Sequence, residues 1–226
     1  MSGKSLNFTI ISIEGNIGSG KSTLMENLKE YYKDNSEIIF LREPVDEWSL
    51  IKDSNGITIL EKFYQDQHKY SFSFQMMAYI SRLNVLRTTL KSLEQDKKYV
   101  IITERSLNTD RYVFAKMLYE TFKMEEVNYQ IYLTWFDTFS EEFPVHKIVY
   151  VKASSEICHM RISKRSRKGE QIIPISYLDT CNQYHENMIE KHSQNIQCIL
   201  LDGNMDIYEN TNQIGEWIKQ INTFIL

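Results

Sequence analysis

The stretch Gly15-Asn16-Ile17-Gly18-Ser19-Gly20-Lys21-Ser22 fits the pattern G-x-x-x-x-G-K-[ST]. Its chemistry is the capture of phosphate. The glycines let the backbone curl so that successive N–H groups converge on phosphate oxygens, and a helix beginning at the lysine adds the positive end of its dipole. Lys21 then reaches the β/γ-phosphates of a nucleoside triphosphate, and the Ser22 hydroxyl can ligate Mg²⁺. An apolar, β-branched run at 8–14 precedes the loop, and Leu24, Met25, Leu28 and Tyr31 follow it at helical spacing. That is the strand–loop–helix setting the motif needs. The sequence has no Asn-Lys-x-Asp base-reading motif and no apolar strand ending in Asp-Glu. The first argues against a GTPase, the second against a motor or AAA-type ATPase.

Other residue clusters narrow the chemistry. A second apolar run ends in Phe40-Leu41-Arg42-Glu43-Pro44-Val45-Asp46-Glu47-Trp48, and a third in Ile101-Ile102-Thr103-Glu104-Arg105-Ser106, with Asp110-Arg111-Tyr112 close behind. In an open parallel sheet, ligands sit beyond the carboxyl ends of the strands. Glu43, Glu104 and Arg105 are therefore expected to face the γ-phosphate. They supply an acid to orient and deprotonate a hydroxyl, an arginine to hold charge and a carboxylate for magnesium, which is the equipment of phosphoryl transfer to an alcohol. Asp46 and Glu47 read as solvated surface charges. On the longest helical stretch, Gln75, Ala78 and Arg82 share one face, with Phe74 beside them. An amide, an arginine and an aromatic ring on one stripe are costly in a core if unpaired, and together they could read a planar base. Arg161, Arg165 and Arg167 run into Gly169-Glu170, and clustered arginines feeding a glycine-bearing loop suit a lid over a triphosphate.

The elements that must position these residues alternate along the chain. Strands are predicted at 8–14, 37–41, 99–103, 147–151 and 197–201. Helices are predicted at 21–33, 69–94, 110–119, 154–165, 175–192 and 207–225. The alternation predicts an α/β fold, a five-stranded parallel sheet with helices on both faces, as one domain over 1–226. The 226 residues, 42% hydrophobic and 25% charged, are ordinary for a soluble globular chain. A net charge of −4 gives no reason to expect long nucleic acid as a partner. No apolar run approaches the ~20 residues of a membrane span, and the first residues lack the core of a secretory signal. Cys158, Cys181 and Cys198 have neither disulfide nor zinc spacing. An intracellular, cytoplasmic, reducing setting is expected.

Taken together, these residues resemble the deoxynucleoside kinase family, in particular its deoxycytidine and deoxyguanosine kinase branch. The resemblance runs from about 8 to 221. It rests on the loop from Gly15 to Thr23, Glu43-Pro44-Val45 with Trp48, Tyr64, Ser71-Phe72-Ser73-Phe74-Gln75, Ser81-Arg82, Glu104-Arg105-Ser106 with Asp110-Arg111-Tyr112, and the arginine lid. It implies Glu43 as general base for the 5′-hydroxyl, Arg105 as support for the reacting oxygens and Glu104 as magnesium partner or acid–base residue. It implies Tyr64 and Glu170 at the 3′-hydroxyl, and Phe74 and Gln75 at the base. Ala78, Arg82 and Asp110 fall where the family sets base preference, and their identity goes with deoxycytidine and purine deoxynucleosides rather than thymidine. The 201–207 loop, with Asp206 and Ile207, resembles the segment that cradles the donor's adenine. ATP or another nucleoside triphosphate, Mg²⁺ and a homodimer are implied in the same way. Two departures from the family's pattern stand out. Phe63 takes a place where several relatives carry methionine or another apolar residue, and Lys168-Gly169 precedes Glu170 where close relatives are more acidic.

Two other readings share some of these features. A nucleoside monophosphate kinase of thymidylate kinase type has the same fold and loop, but Glu43 at the acceptor's end would repel its phosphate. A non-catalytic nucleotide-binding module is the other, and it leaves the joint presence of Lys21, Ser22, Glu43 and Arg105 without a purpose.

Overall fold

The β-branched runs form strands and the amphipathic stretches between them form helices, as their periodicities dictate. The structure is a computed structural model describing residues 7–205 and 211–225. Its strands are β1 (Asn7–Glu14), β2 (Ile38–Leu41), β3 (Lys98–Glu104), β4 (Lys147–Lys152) and β5 (Gln197–Asp202). Its helices are α1 (Lys21–Tyr31), α2 (Val45–Trp48), α3 (Ile59–Gln65), α4 (Gln67–Ser92), α5 (Leu107–Thr109), α6 (Lys116–Glu120), α7 (Glu126–Phe139), α8 (Ser155–Arg165), α9 (Ile175–Ser193) and α10 (Thr211–Ile225). A π-helical segment, Asp110–Ala115, joins α5 to α6.

All the strand pairs are parallel, in the order β2-β3-β1-β4-β5. The first strand is therefore central, and the chain passes to one side of it and then to the other. That reversal opens a crevice at the strands' carboxyl ends. Alternation along β1 sorts its side chains between two cores. Ile11 and Ile13 pack with Leu24, Met25 and Leu28 of α1 and Trp217 and Ile221 of α10. Ile10 packs on the other face with Tyr79, Leu83 and Leu86 of α4 and Tyr132 and Phe136 of α7. The same alternation decides where the chemistry points. Ile13 pairs with Glu104 in the register of β1 and β3, and Glu104 emerges on the side of α1.

The expected sheet and its covering helices are thus present, with strand boundaries within two residues of those predicted. The segment expected as one helix at 110–119 is split into the π-helical turn and α6. Helix α7 is not among those that periodicity picked out. Cys158 and Cys181 are buried and Cys198 half-buried, all free thiols. Among the described residues, no helix is long and apolar enough to cross a membrane.

Candidate active site

The phosphate loop connects β1 to α1 as its glycines require. Gly15 and Gly18 have φ of 145° and 80°, and a Cβ on either would lie 2.4 Å from the Val151 carbonyl or 2.5 Å from the Cys158 carbonyl. No other residue fits both the conformation and the space. Asn16 braces the loop from within: its amide donates to the Leu178 carbonyl at 2.9 Å and to Asn182 at 2.7 Å, both on α9. Its side chain is therefore committed to the scaffold. Lys21 is buried and donates to the Asn16 carbonyl at 2.6 Å. Burial, and then the nearby Arg105 guanidinium, lower its pKa to about 7. Ser22 donates to Glu104 at 2.6 Å. A hydroxyl and a carboxylate side by side next to the loop are the hard oxygen donors that Mg²⁺ takes, and that ion commonly binds through one or two carboxylates plus substrate phosphates. The residues fit it. Among the described residues no cluster of three or more His, Cys, Asp or Glu forms a cage for a metal.

The strand ends bring the predicted acids and arginines together. Arg82 of α4 donates from Nε to Asp110 Oδ2 at 2.9 Å and from Nη2 to Asp110 Oδ1 at 3.4 Å, a bidentate pair. Its Nη2 also reaches Glu43 Oε1 at 3.0 Å, and its Nη1 the Glu104 carbonyl at 2.8 Å. Burial alone would weaken its hold on the proton; Asp110 and Glu43 more than offset that and raise its pKa. Arg105 Nε lies 3.4 Å from the same Glu43 oxygen. Burial acts to raise the Glu43 carboxyl, but Arg105, Arg82 and Lys21 outweigh it, and the group titrates below the ordinary carboxylate range. Glu43 is thus an ionised acceptor held between two guanidiniums. Asp46 and Glu47 are exposed, as expected.

A cleft of about 710 Å³ runs from the phosphate loop past Glu43 into a pocket lined by Trp48, Tyr64, Phe74, Gln75, Ala78 and Asp110. Trp48 is buried and donates from its indole to Ser81 at 2.8 Å. Gln75 is buried, and its Oε1 has no hydrogen-bond partner. Such an orphaned acceptor is costly and suits a ligand's N–H. Phe63 stacks on Phe74, with centroids 4.5 Å apart and planes at 13°. The departure at this position thus fills one face of the aromatic stripe.

The lid arginines divide in two. Arg161 is tied to the Ser19, Gly203 and Met205 carbonyls at 3.2, 2.7 and 3.0 Å. Arg165 and Arg167 instead pair with Glu170, the latter at 3.1 Å. Glu170 is buried beneath them. Gly169 has φ of 89°, and a Cβ there would meet the Glu61 chain at 3.0–3.3 Å, while Lys168 pairs with Glu61 at 3.1 Å. The departure Lys168-Gly169 is thereby what seats the lid turn against α3. Asp206 and Ile207 lie outside the described residues.

Sequence reasoning missed three residues of this site. Phe114 lines the cleft, with the Arg105 guanidinium 4.9 Å from its ring centroid. Buried Glu14 accepts from Ser12, from Ser106 at 2.6 Å and from Thr109, tying β1 to the turn that carries Arg105. Buried His185 contacts Arg105. Position in the P-loop strand was the available signal for Glu14; for the other two, only tertiary contacts reveal the role.

A P-loop beside a carboxylate clamped by two arginines, on a doubly wound parallel sheet, defines a kinase of the P-loop fold. The family model for deoxynucleoside kinases matches residues 11–226. Deoxycytidine kinase of Homo sapiens is 32% identical, over 93% of this chain and 89% of its own. Mitochondrial deoxyguanosine kinase of Xenopus laevis is 28% identical, over 99% and 92%. Mitochondrial thymidine kinase 2 of Macaca fascicularis is 31% identical, over 82% and 66%. The chain belongs to the deoxynucleoside kinase family.

Proposed function

We propose that this enzyme transfers the γ-phosphate of ATP, or of another nucleoside triphosphate, to the 5′-hydroxyl of a deoxynucleoside, preferring deoxycytidine and purine deoxynucleosides to thymidine. The observation that carries this is Glu43, ionised and fixed by Arg82 and Arg105 where the phosphate-loop cleft meets the Gln75 pocket. A carboxylate there orients a hydroxyl and takes its proton as the 5′-oxygen attacks the γ-phosphorus and the bond to the β-phosphate oxygen breaks. Lys21 and Arg105 lie beside the oxygens where charge accumulates. Ser22 and Glu104 would hold Mg²⁺, which neutralises phosphate charge when bound. Tyr64 and Glu170 line the cleft between the two halves and suit the 3′-hydroxyl. Gly15, Gly18, Ser19, Gly20 and Thr23, with the Asn16 and Ile17 backbone, suit the donor's phosphates, and Arg165 and Arg167 its outer charge.

Base preference follows from the Arg82–Asp110 pair. Gln75 can present either its oxygen or its NH₂, so it discriminates poorly among bases. A rigid bidentate pair beside the pyrimidine 5-position would crowd thymine's methyl, while cytosine has only hydrogen there. Arginine could also donate to a purine N7, and the small Ala78 leaves room for the larger ring. Removing one partner of a buried pair leaves the other uncompensated, so the test changes both. Arg82→Met with Asp110→Ala should raise the thymidine-to-deoxycytidine ratio of kcat/KM roughly 10-fold. Absolute rates should fall for every substrate, because Arg82 also holds Glu43. An unchanged ratio in the folded double variant, or thymidine as the best substrate of the native protein, rules the preference out.

We propose further that the protein is a homodimer. Val127, Ile131 and Trp135 recur every fourth residue along α7 and are 65%, 41% and 47% exposed; Ile80 of the adjacent α4 is 50% exposed. An apolar stripe of this kind suits burial against a second copy.

A further inference from the structure

Arg105 is held in an unusual way. Its backbone has φ of 65°, a left-handed conformation that a non-glycine residue adopts only when its surroundings impose it. Its guanidinium Nη1 donates to the Gly15 carbonyl at 2.9 Å and meets His185 Nε2 at 3.1 Å. Its Nε faces Glu43, and the Phe114 ring lies beneath its plane. The Phe114 and His185 rings meet edge to face, with centroids 6.0 Å apart.

The other ring nitrogen of His185 fixes its state. Nδ1 lies 2.8 Å from the Cys181 carbonyl, one turn back on α9. A carbonyl only accepts, so Nδ1 carries the hydrogen and Nε2 presents a lone pair. That lone pair is the complement of the Arg105 N–H. A protonated ring would turn a second donor on the guanidinium, and a swapped tautomer would leave two donors opposed. Burial, and then the Arg105 charge, hold the imidazole pKa well below its ordinary value, so it remains neutral.

We propose that His185 is a positioning residue for phosphoryl transfer: as a neutral Nδ1–H tautomer it accepts from Arg105 Nη1 and, with the Gly15 carbonyl, locks the guanidinium in the orientation that serves the reacting oxygens. Two of the fork's donors are thereby committed to the scaffold, and the rest faces Glu43 and the cleft. A leucine would fill a fully buried site, so packing does not by itself require a histidine here. What requires it is an acceptor for a buried arginine N–H, on a helix that also anchors the phosphate loop through Asn16. Loss of that acceptor leaves one Nη1 hydrogen unpaired and the Gly15 carbonyl as its only anchor, loosens the guanidinium and weakens its hold on the transition state. Nucleoside binding through Gln75, Tyr64 and Glu170 is left in place.

The inference rests on the kinase reading, and the test separates the two. With the full chain, ATP and deoxycytidine, His185→Leu should lower kcat about 10- to 100-fold, with KM for the nucleoside changed less than about threefold, since misplacing a charge-stabilising group costs rate rather than binding. His185→Gln, whose side-chain oxygen can accept the same hydrogen bond, should recover most of the loss. A folded Leu variant with native kcat, or a Gln variant as impaired as Leu, overturns the proposal while leaving the native enzyme's activity, and so the kinase reading, intact. A native protein without kinase activity would strike the reading itself. One measurement needs no variant: ¹⁵N NMR of the histidine-labelled native protein should show His185 with a protonated Nδ1 and an unprotonated Nε2 at neutral pH. A protonated Nε2 overturns the proposal.

Discussion

Glu43 derives its state from its neighbours. Two guanidiniums and Lys21 keep the carboxylate ionised despite burial, so it is ready to accept a proton and has none to give. Glu43→Gln preserves shape and removes the base, and should lower kcat by about 10² to 10⁴. Deoxynucleoside affinity should change little, because Gln75, Tyr64 and Glu170 remain. Steady-state kinetics with a binding titration check this, and an unaltered kcat would move the base role to Glu104. Lys21 makes a different prediction. Its pKa in the nucleotide-free protein is lowered from 10.5 to about 7, so near pH 8 most molecules carry it neutral. Phosphate charge favours the ammonium and raises that pKa. Binding of preformed MgATP near pH 8 should therefore take up a proton, approaching one per site. Calorimetry in two buffers of different ionisation enthalpy measures it. Zero uptake, or uptake that persists in Lys21→Met, contradicts the assignment. Glu43 and Arg105 were legible in the sequence because strand ends in an open sheet converge by topology. Asp110 was legible because it follows the third strand closely, Lys21 from the phosphate-loop pattern and Arg82 from its helical spacing to Gln75 and Ala78. His185 was not: a lone histidine on a helix says nothing until the fold sets it against Arg105.

Among the elements, the phosphate-loop strand and helix, the Arg82 helix and the arginine-bearing helix end before Gly169 were readable because each carries a strong local signal. These are glycines at fixed offsets, a polar stripe on an apolar helix, and arginines ahead of a glycine. Helix α7 was not, for a physical reason. It buries Tyr132 and Phe136 and exposes the neighbouring Val127, Ile131 and Trp135, so its apolar stripe is wider than the face it packs on the core, and no cap or glycine signal marks its ends. The exposed stripe is the face proposed above for a second copy. On the proposed homodimer, Trp135→Glu should give a folded monomer at micromolar concentration, since a charge on a desolvated apolar stripe is expensive. Light scattering coupled to size-exclusion chromatography reads it. A native protein that is already monomeric, or a variant that stays dimeric, excludes this stripe. The π-helical turn at Asp110–Ala115 also had no sequence signature. It sets both Asp110 and Phe114 against the cleft, and π-turns are often found where function requires that kind of re-aiming.

The molecule as a whole brings donor and acceptor chemistry together through one topological choice. With β1 central and β3 beside it, the phosphate loop, Glu104 and Arg105 leave adjacent strands at the same end, and β2 delivers Glu43 from the far side of β3. Helix α4 then lays Gln75 and Arg82 across the opening. Arg165 and Arg167 reach buried Glu170, so the groups proposed for the donor's phosphates and for the 3′-hydroxyl are already paired. The most direct measurement is product formation by the full chain with ATP and Mg²⁺, offered each deoxynucleoside and each deoxynucleoside monophosphate separately. The 5′-monophosphates of deoxycytidine, deoxyadenosine and deoxyguanosine should form, thymidine should react poorly, the monophosphates should not be extended, and Lys21→Ala should abolish all of it. Diphosphates made from monophosphates would identify a nucleoside monophosphate kinase instead, and no product from any acceptor would leave only a nucleotide-binding module.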